Sequence, residues 1–262
     1  MASEVKTNKI SPATSTTVTL GDASDLFQLP ASAEIDIASG ATLDVNGTID
    51  ITGATATGFP SSGLNSVQIF TSSGTWTKPA GITKVIVEVQ AAGGGSSQGN
   101  GVQWGGNGGA GAYVKQFFDV SSITASAIVV GAGGAGGTSP GTGGTSSWND
   151  TASGGSNTIS CTGGVGAEYA SSGHNDGGAG GTATLSSATN SYTINGQAGQ
   201  TAYGTQSMGG NSPLGFGGTQ KVYDSATPVA PVGYGSGGSS GLTPSGTGNA
   251  GTAGIVIVWE FK

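Results

Sequence analysis

The stretch Val85-Ile86-Val87-Glu88-Val89, followed by Gln90-Ala91-Ala92 and then Gly93-Gly94-Gly95, decides the fold class. β-branched residues at nearly every position of 85–89 suit a buried strand, because a branched Cβ packs on a pleated surface and is stiff in a helix. The glycine triplet then ends side-chain packing abruptly. Further strands are expected at Val67-Gln68-Ile69-Phe70, 112–120, 127–130, 182–185, 192–194 and 255–261. Ser72-Ser73-Gly74 and Pro79-Ala80-Gly81 supply turns between the first of them. No segment keeps a 3.6-residue apolar period, and Gly or Ser interrupts every candidate helix. The expected fold is all-β: a small N-terminal β attachment segment followed by a β-sandwich-like domain with long Gly-rich loops.

Glycine accounts for 53 of 262 residues; eight precede Gly93 and the rest lie between Gly93 and Gly254. The usual share is ~7%. The tracts cover 105–111, 131–144, 163–181, 209–218 and 233–241. They exceed the ~4–6 residues of ordinary connections. Their spacing is irregular, which excludes a collagen repeat. Two forms stay open: ordinary ordered loops, or packed extended segments in which absent side chains let backbones approach closely.

Residues 1–59 differ in composition and are expected to attach the chain to something else; 60–66 reads as a linker and 67–262 as the Gly-rich β domain. Ile35-Asp36-Ile37, Leu43-Asp44-Val45 and Ile49-Asp50-Ile51 alternate apolar and acidic residues, with Asn46-Gly47 between two of them as a hairpin signal. Strands this short bury little surface alone. Several copies of the chain are expected to share that core.

Charge excludes several functions. All seven basic residues are lysines, scattered against fourteen acids, for a net charge of -7. Nucleic-acid binding shows a clustered basic face, and docking on anionic lipid needs a basic cluster too. Neither a nucleic-acid partner nor membrane insertion is expected. Met1-Ala2-Ser3-Glu4-Val5-Lys6 leads into no apolar stretch of a signal peptide. One cysteine, Cys161, forbids an intrachain disulfide, and with one histidine, His174, makes no zinc site. No metal or cofactor is expected.

Gly131-Ala132-Gly133-Gly134-Ala135-Gly136 satisfies the dinucleotide pattern after a strand, but Gly137-Thr138-Ser139-Pro140 cannot continue as the required helix. No phosphate loop or paired catalytic carboxylate stands out, so no catalytic residue is assigned and no enzyme activity is expected. Trp104, Trp148, Tyr169, Tyr203, Tyr223 and Tyr234 lie in or beside glycine tracts, as does His174. Aromatic rings on polar loops offer contact area with few rotamers to lose, so these seven are the candidate binding residues. Trp76 and Trp259 sit in strand-like contexts and are expected to pack in a core or between chains.

Several motifs occur together in one order: Phe70-Thr-Ser-Ser-Gly-Thr-Trp76-Thr-Lys-Pro-Ala-Gly81-Ile-Thr-Lys-Val-Ile-Val-Glu88, Gly109-Ala-Gly-Ala-Tyr113 and Val129-Val-Gly-Ala-Gly-Gly-Ala-Gly-Gly137. Ile194-Asn-Gly-Gln-Ala-Gly199, Gly210-Asn-Ser-Pro-Leu-Gly215 and Ala253-Gly-Ile-Val-Ile-Val258 follow. Together they resemble the glycine-rich domain of bacteriophage tail fibre and receptor-binding proteins. The resemblance implies a virion tail appendage made in the host cytoplasm, commonly a homotrimer. Its N-terminal region would meet other tail proteins, and its distal domain a host glycan or outer-membrane protein. The alternative is a structural head fibre, collar or connector without receptor contact.

Overall fold

A computed structural model describes residues 63–99, 104–169, 175–201, 208–219, 228–241 and 246–262. The expectations for 1–59 lie outside the described residues. Among the described residues twelve strands form: β1 (Leu64–Phe70), β2 (Gly74–Thr77), β3 (Lys84–Gln90), β4 (Tyr113–Asp119), β5 (Ala125–Val129) and β6 (Ser146–Asn149), then β7 (Thr158–Cys161), β8 (Ala183–Leu185), β9 (Ser191–Ile194), β10 (Gly215–Phe216), β11 (Val232–Gly233) and β12 (Ile255–Phe261). No α-helix occurs among the described residues. All-β is correct.

The strands make two five-stranded antiparallel sheets, ordered β1-β12-β3-β4-β9 and β2-β5-β6-β7-β8, and a small β10-β11 ribbon. Period-2 alternation sends Val85, Val87 and Val89 of β3, Val114 and Phe118 of β4, and Val256 and Val258 of β12 to one side of the first sheet. Trp76, Ile128, Trp148, Ile159 and Cys161 of the second sheet complete the same core. The Trp76 and Trp148 rings lie 5.2 Å apart, and Phe118 stacks on Trp148 at 6.1 Å, so aromatic contact joins the two sheets. Glu260 is buried in this core, where Trp76 Nε1 (2.6 Å), Gln68 Nε2 (2.7 Å) and the Ser66 hydroxyl donate to its carboxylate.

Three differences from the sequence reading have clear causes. β1 begins at Leu64, inside the expected linker, because it runs along β12 as an edge strand and needs no second buried face. β6 and β7, Ser-Ser-Trp-Asn and Thr-Ile-Ser-Cys, were hidden by their polar outward residues. Trp148, expected on a binding loop, is fully buried at the centre of β6. The Pro79-Ala80-Gly81 turn is as expected: Ile82 N–H donates to the Pro79 carbonyl (3.2 Å), and Gly81 takes a φ of 81° that a side chain would resist.

The glycine tracts are packed extended segments, not ordinary loops. Beyond β3 the chain continues through 91–99, and its N–H groups turn to three neighbours in rotation. Ala91, Gly94 and Ser97 donate to Ala112, Gly109 and Gly106; Ala92 and Gly95 to Gly144 and Gly141; Gly93, Ser96 and Gly99 to Thr252, Asn249 and Gly246. A three-residue period without internal hydrogen bonds is that of polyproline II, in which nine residues span roughly 25 Å.

Segment 105–112 is surrounded more completely. Asn107 and Ala110 donate to Gln200 and Gln197, Gly108 and Gly111 to Gly238 and Gly235, and Gly109 and Ala112 to Val165 and Thr162. Its carbonyls accept from 91–97, from Gly178 and Gly181, and from Gly210. Six neighbours around one segment leave little room for side chains. A Cβ built on Gly109 would lie 2.1 Å from the Ala179 oxygen, on Gly108 2.0 Å from the Gly94 oxygen, and on Gly237 2.0 Å from the Gly108 oxygen. Peripheral segments spare every third position for solvent: Ala132 and Ala135, Thr162, Val165 and Glu168, Asp176, Ala179 and Thr182, and Thr247, Ala250 and Ala253. Strand alternation of period two thus passes into a period of three without a break in the chain.

A pair of substitutions tests this packing. Gly109→Ala must displace backbone on a neighbouring segment, at a cost of about 2–3 kcal/mol or more, which is roughly 5–10 °C in Tm for a domain of this size. Gly74→Ala, where nothing lies within 4 Å of the new methyl, is expected to leave Tm unchanged or slightly raised. Calorimetry giving the two variants equal melting points would contradict the packing. Cys161 supplies a second test. Burial pushes its thiol up to about 12, so the reactive thiolate is suppressed at pH 8–10. Labelling by a thiol reagent in that range is expected only on unfolding, and prompt labelling of the folded chain would place Cys161 elsewhere.

Candidate functional site

The bundle has two ends of different character. At one end its segments run into β3, β4, β5, β6, β7, β8, β9 and β12. At the other end outgoing and returning segments meet in pairs. Ser97 N–H donates to Gly106 (3.0 Å), Glu168 N–H to Asp176 (3.0 Å), Gln200 N–H to Met208 (3.0 Å), Val229 N–H to Thr219 (2.9 Å) and Gly241 N–H to Thr247 (3.0 Å). The described chain stops just past each of these five pairs, and this end of the bundle is called the tip.

Buried polar side chains close the bundle beneath the tip. Asn107 Nδ2 donates to the Gln200 carbonyl (2.7 Å), and Asn107 Oδ1 accepts from Ser240 N–H (3.0 Å). Asn175 Nδ2 donates to the Trp104 carbonyl (2.9 Å), and the Ser240 hydroxyl donates to Gly105. Ser97 Oγ accepts from Gly106 N–H at 2.7 Å. Glycine yields to Asn and Ser here because a side chain that hydrogen-bonds a facing backbone holds the segment ends in register. Above this layer Thr201 Oγ1 donates to Asp176 Oδ1 (3.2 Å).

The fold sorts the candidate aromatics. Trp104 is half-buried and Tyr169 exposed, and both stand at the tip. His174, Tyr203 and Tyr223 lie outside the described residues, in segments whose flanks end there. Trp148 is in the core, too buried to touch a ligand. Tyr234 sits at the sheet end, where its N–H donates to the Leu214 carbonyl (3.0 Å) and Gly235 follows against Gln90. It does not join the others.

Sequence reasoning missed Asp176, Gln200, Thr201 and the polar layer of Asn107, Asn175 and Ser240. Their signal is the break in the Gly-Gly-x spacing at each tract end, as at Asn175-Asp176-Gly177-Gly178. The charge distribution is also uneven. Every described lysine (Lys78, Lys84, Lys115 and Lys262) lies in or beside the sheets, while Glu168 and Asp176 stand at the tip. The described part of the tip therefore offers aromatic faces, hydroxyls, amides and carboxylates, a set suited to hydrogen-bonding recognition.

The dinucleotide-like run 131–136 belongs to the bundle wall: Gly134 N–H donates to the Gly93 carbonyl (2.9 Å), and the run is extended. No curated protein matches the chain. Residues 69–259, from β1 to β12 and through every described bundle segment, match the description of the glycine-rich domain. The chain belongs to the glycine-rich domain family.

Proposed function

We propose that the chain is an adhesin subunit of a bacteriophage tail fibre, and that it recognises a host surface with the tip of its glycine bundle. One observation carries the reading: five pairs of described segment ends meet at one end of a bundle whose opposite end grows directly out of two sheets. A bundle whose segment ends meet at one tip, away from the sheets, is suited to presenting a recognition surface there. The motifs from Phe70 to Val258 support the same assignment by their resemblance to tail-fibre receptor-binding domains. Residues 1–59 attach the subunit to the virion and to sister chains, as a homotrimer. The sheets and bundle form a β-sandwich-like domain extended by a glycine pillar.

The chemistry of the tip narrows the target. With Glu168 and Asp176 present and no described lysine nearby, a polyanionic surface is disfavoured by charge. A neutral glycan, or an outer-membrane protein loop with free donors, fits better. Exposed Tyr169 and half-buried Trp104 supply rings for sugar faces or apolar side chains.

The test is binding of the purified full-length chain to bacterial cells and its ability to block infection. Tyr169→Ala and Trp104→Ala are expected to weaken cell binding by about tenfold or more, in line with the ≥1 kcal/mol lost at a contact hot spot. Phe216→Ala, exposed on the ribbon near the other end, is expected to bind as the parent does. No binding by the parent chain, with no block of infection, would favour a structural appendage, and sugar release from envelopes would point to a hydrolase.

A further inference from the structure

The first sheet meets the core with only one face. On its outer face the register sets two rows across the strands. One runs Ile69, Ile257, Glu88, Lys115, Tyr192. The other runs Val67, Trp259, Ile86, Phe117. Ile69 and Tyr192 are each 61% exposed, and Val67 and Phe117 are also open to solvent. An apolar surface that crosses a whole sheet is unusual on an isolated subunit.

The polar groups in these rows satisfy one another. Lys115 Nζ pairs with Glu88 Oε1 at 3.1 Å, and Trp259 Nε1 donates to the same carboxylate at 2.9 Å. Tyr113 OH donates to Glu88 Oε2 at 2.9 Å, and Lys115 lies 5.9 Å from the centre of the Trp259 ring. Burial first, then the bond to Glu88, holds the Tyr113 phenol above its ordinary range, so it stays neutral. The centre of the face is electrically neutral in a chain of net charge -7, and like-charged copies meet at least cost on such a surface.

Shape and connectivity identify the occupant. The β9 edge carries a shallow depression of about 330 Å³ between Ile86, Phe117 and Tyr192. The β1 edge carries the projecting Ile69. A knob at one edge and a depression at the other are complementary between copies related by rotation, the geometry of a closed ring. Residues 1–62, whose apolar–acidic triplets are expected from sequence to share a core between copies, precede β1 in the chain. Copies joined through them would meet at high effective concentration.

We infer that this outer face is the contact between copies of the chain, with Ile69 of one copy seated in the Phe117–Tyr192 depression of the next. The inference does not rest on the binding role of the tip. It is tested on the full-length chain by light scattering and thiol labelling, with buried Cys161 as a silent background. The assembled mass is expected at a multiple of 25.0 kDa. Ile69→Cys is expected to label at least tenfold more slowly than Thr184→Cys, which is exposed on the second sheet. Adding Tyr192→Glu to the Ile69→Cys chain is expected to restore fast labelling. Equal rates for the two thiols, protection of Ile69→Cys in a protein of 25.0 kDa, or protection that survives Tyr192→Glu would each overturn the inference. The second outcome would assign the cover to residues 1–62 of the same chain.

Discussion

The glycine bundle depends on one contact: a backbone carbonyl occupying the place where the facing residue would carry its Cβ. At Gly109 the oxygen of Ala179 sits there, and at Gly196 the oxygen of Ala110. Such contacts bring segments close enough for N–H groups to reach three different neighbours in turn. The usual roles are thereby inverted. Backbone, more than side chains, fills the interior of the bundle, and glycine is required at most of its positions for its size, with Gly137 and Gly235 also taking a positive φ.

The energetics explain why the bundle is built onto sheets. Ordering a residue's backbone costs about 1–2 kcal/mol, and glycine more than most. A hydrogen bond returns a net ~0.5–1.5 kcal/mol. Hydrogen bonding alone does not offset that cost, so the bundle relies on dispersion between closely packed backbones and on anchorage. Its segments continue strands whose residues fill a core around Trp76 and Trp148. That core fixes the positions and directions in which they start. The polar layer of Asn107, Asn175 and Ser240 fixes where they end.

Much of this was legible in the sequence, for reasons that differ by element. β3 and β12 announce themselves because both of their faces are covered or apolar, which leaves runs of β-branched residues. β6 and β7 were missed because only Trp148, Ile159 and Cys161 face the core there, and the intervening Ser and Thr look like loop. Trp148 shares its local context with true tip residues, so sequence alone placed it wrongly. Trp104 and Tyr169, read in the sequence as aromatics beside glycine tracts, stand half-buried and exposed at the tip. Glycine content showed that backbones could approach. It did not show which segment faces which, because a residue without a side chain carries no partner-specific mark.

The change of period from two to three along a single chain also governs how this protein can alter in length. Adding one residue to a strand exchanges its two faces, and within 105–112 it would redirect every later N–H to the wrong one of three neighbours. Only insertions of two in a strand or three in the bundle preserve the pattern, and a bundle insertion must be matched in every adjoining segment. The exposed turns between strands, such as 186–190 between β8 and β9, carry no such arithmetic. A change of length is therefore tolerated where the chain turns, and is excluded wherever one segment's backbone is the wall against which the next one packs.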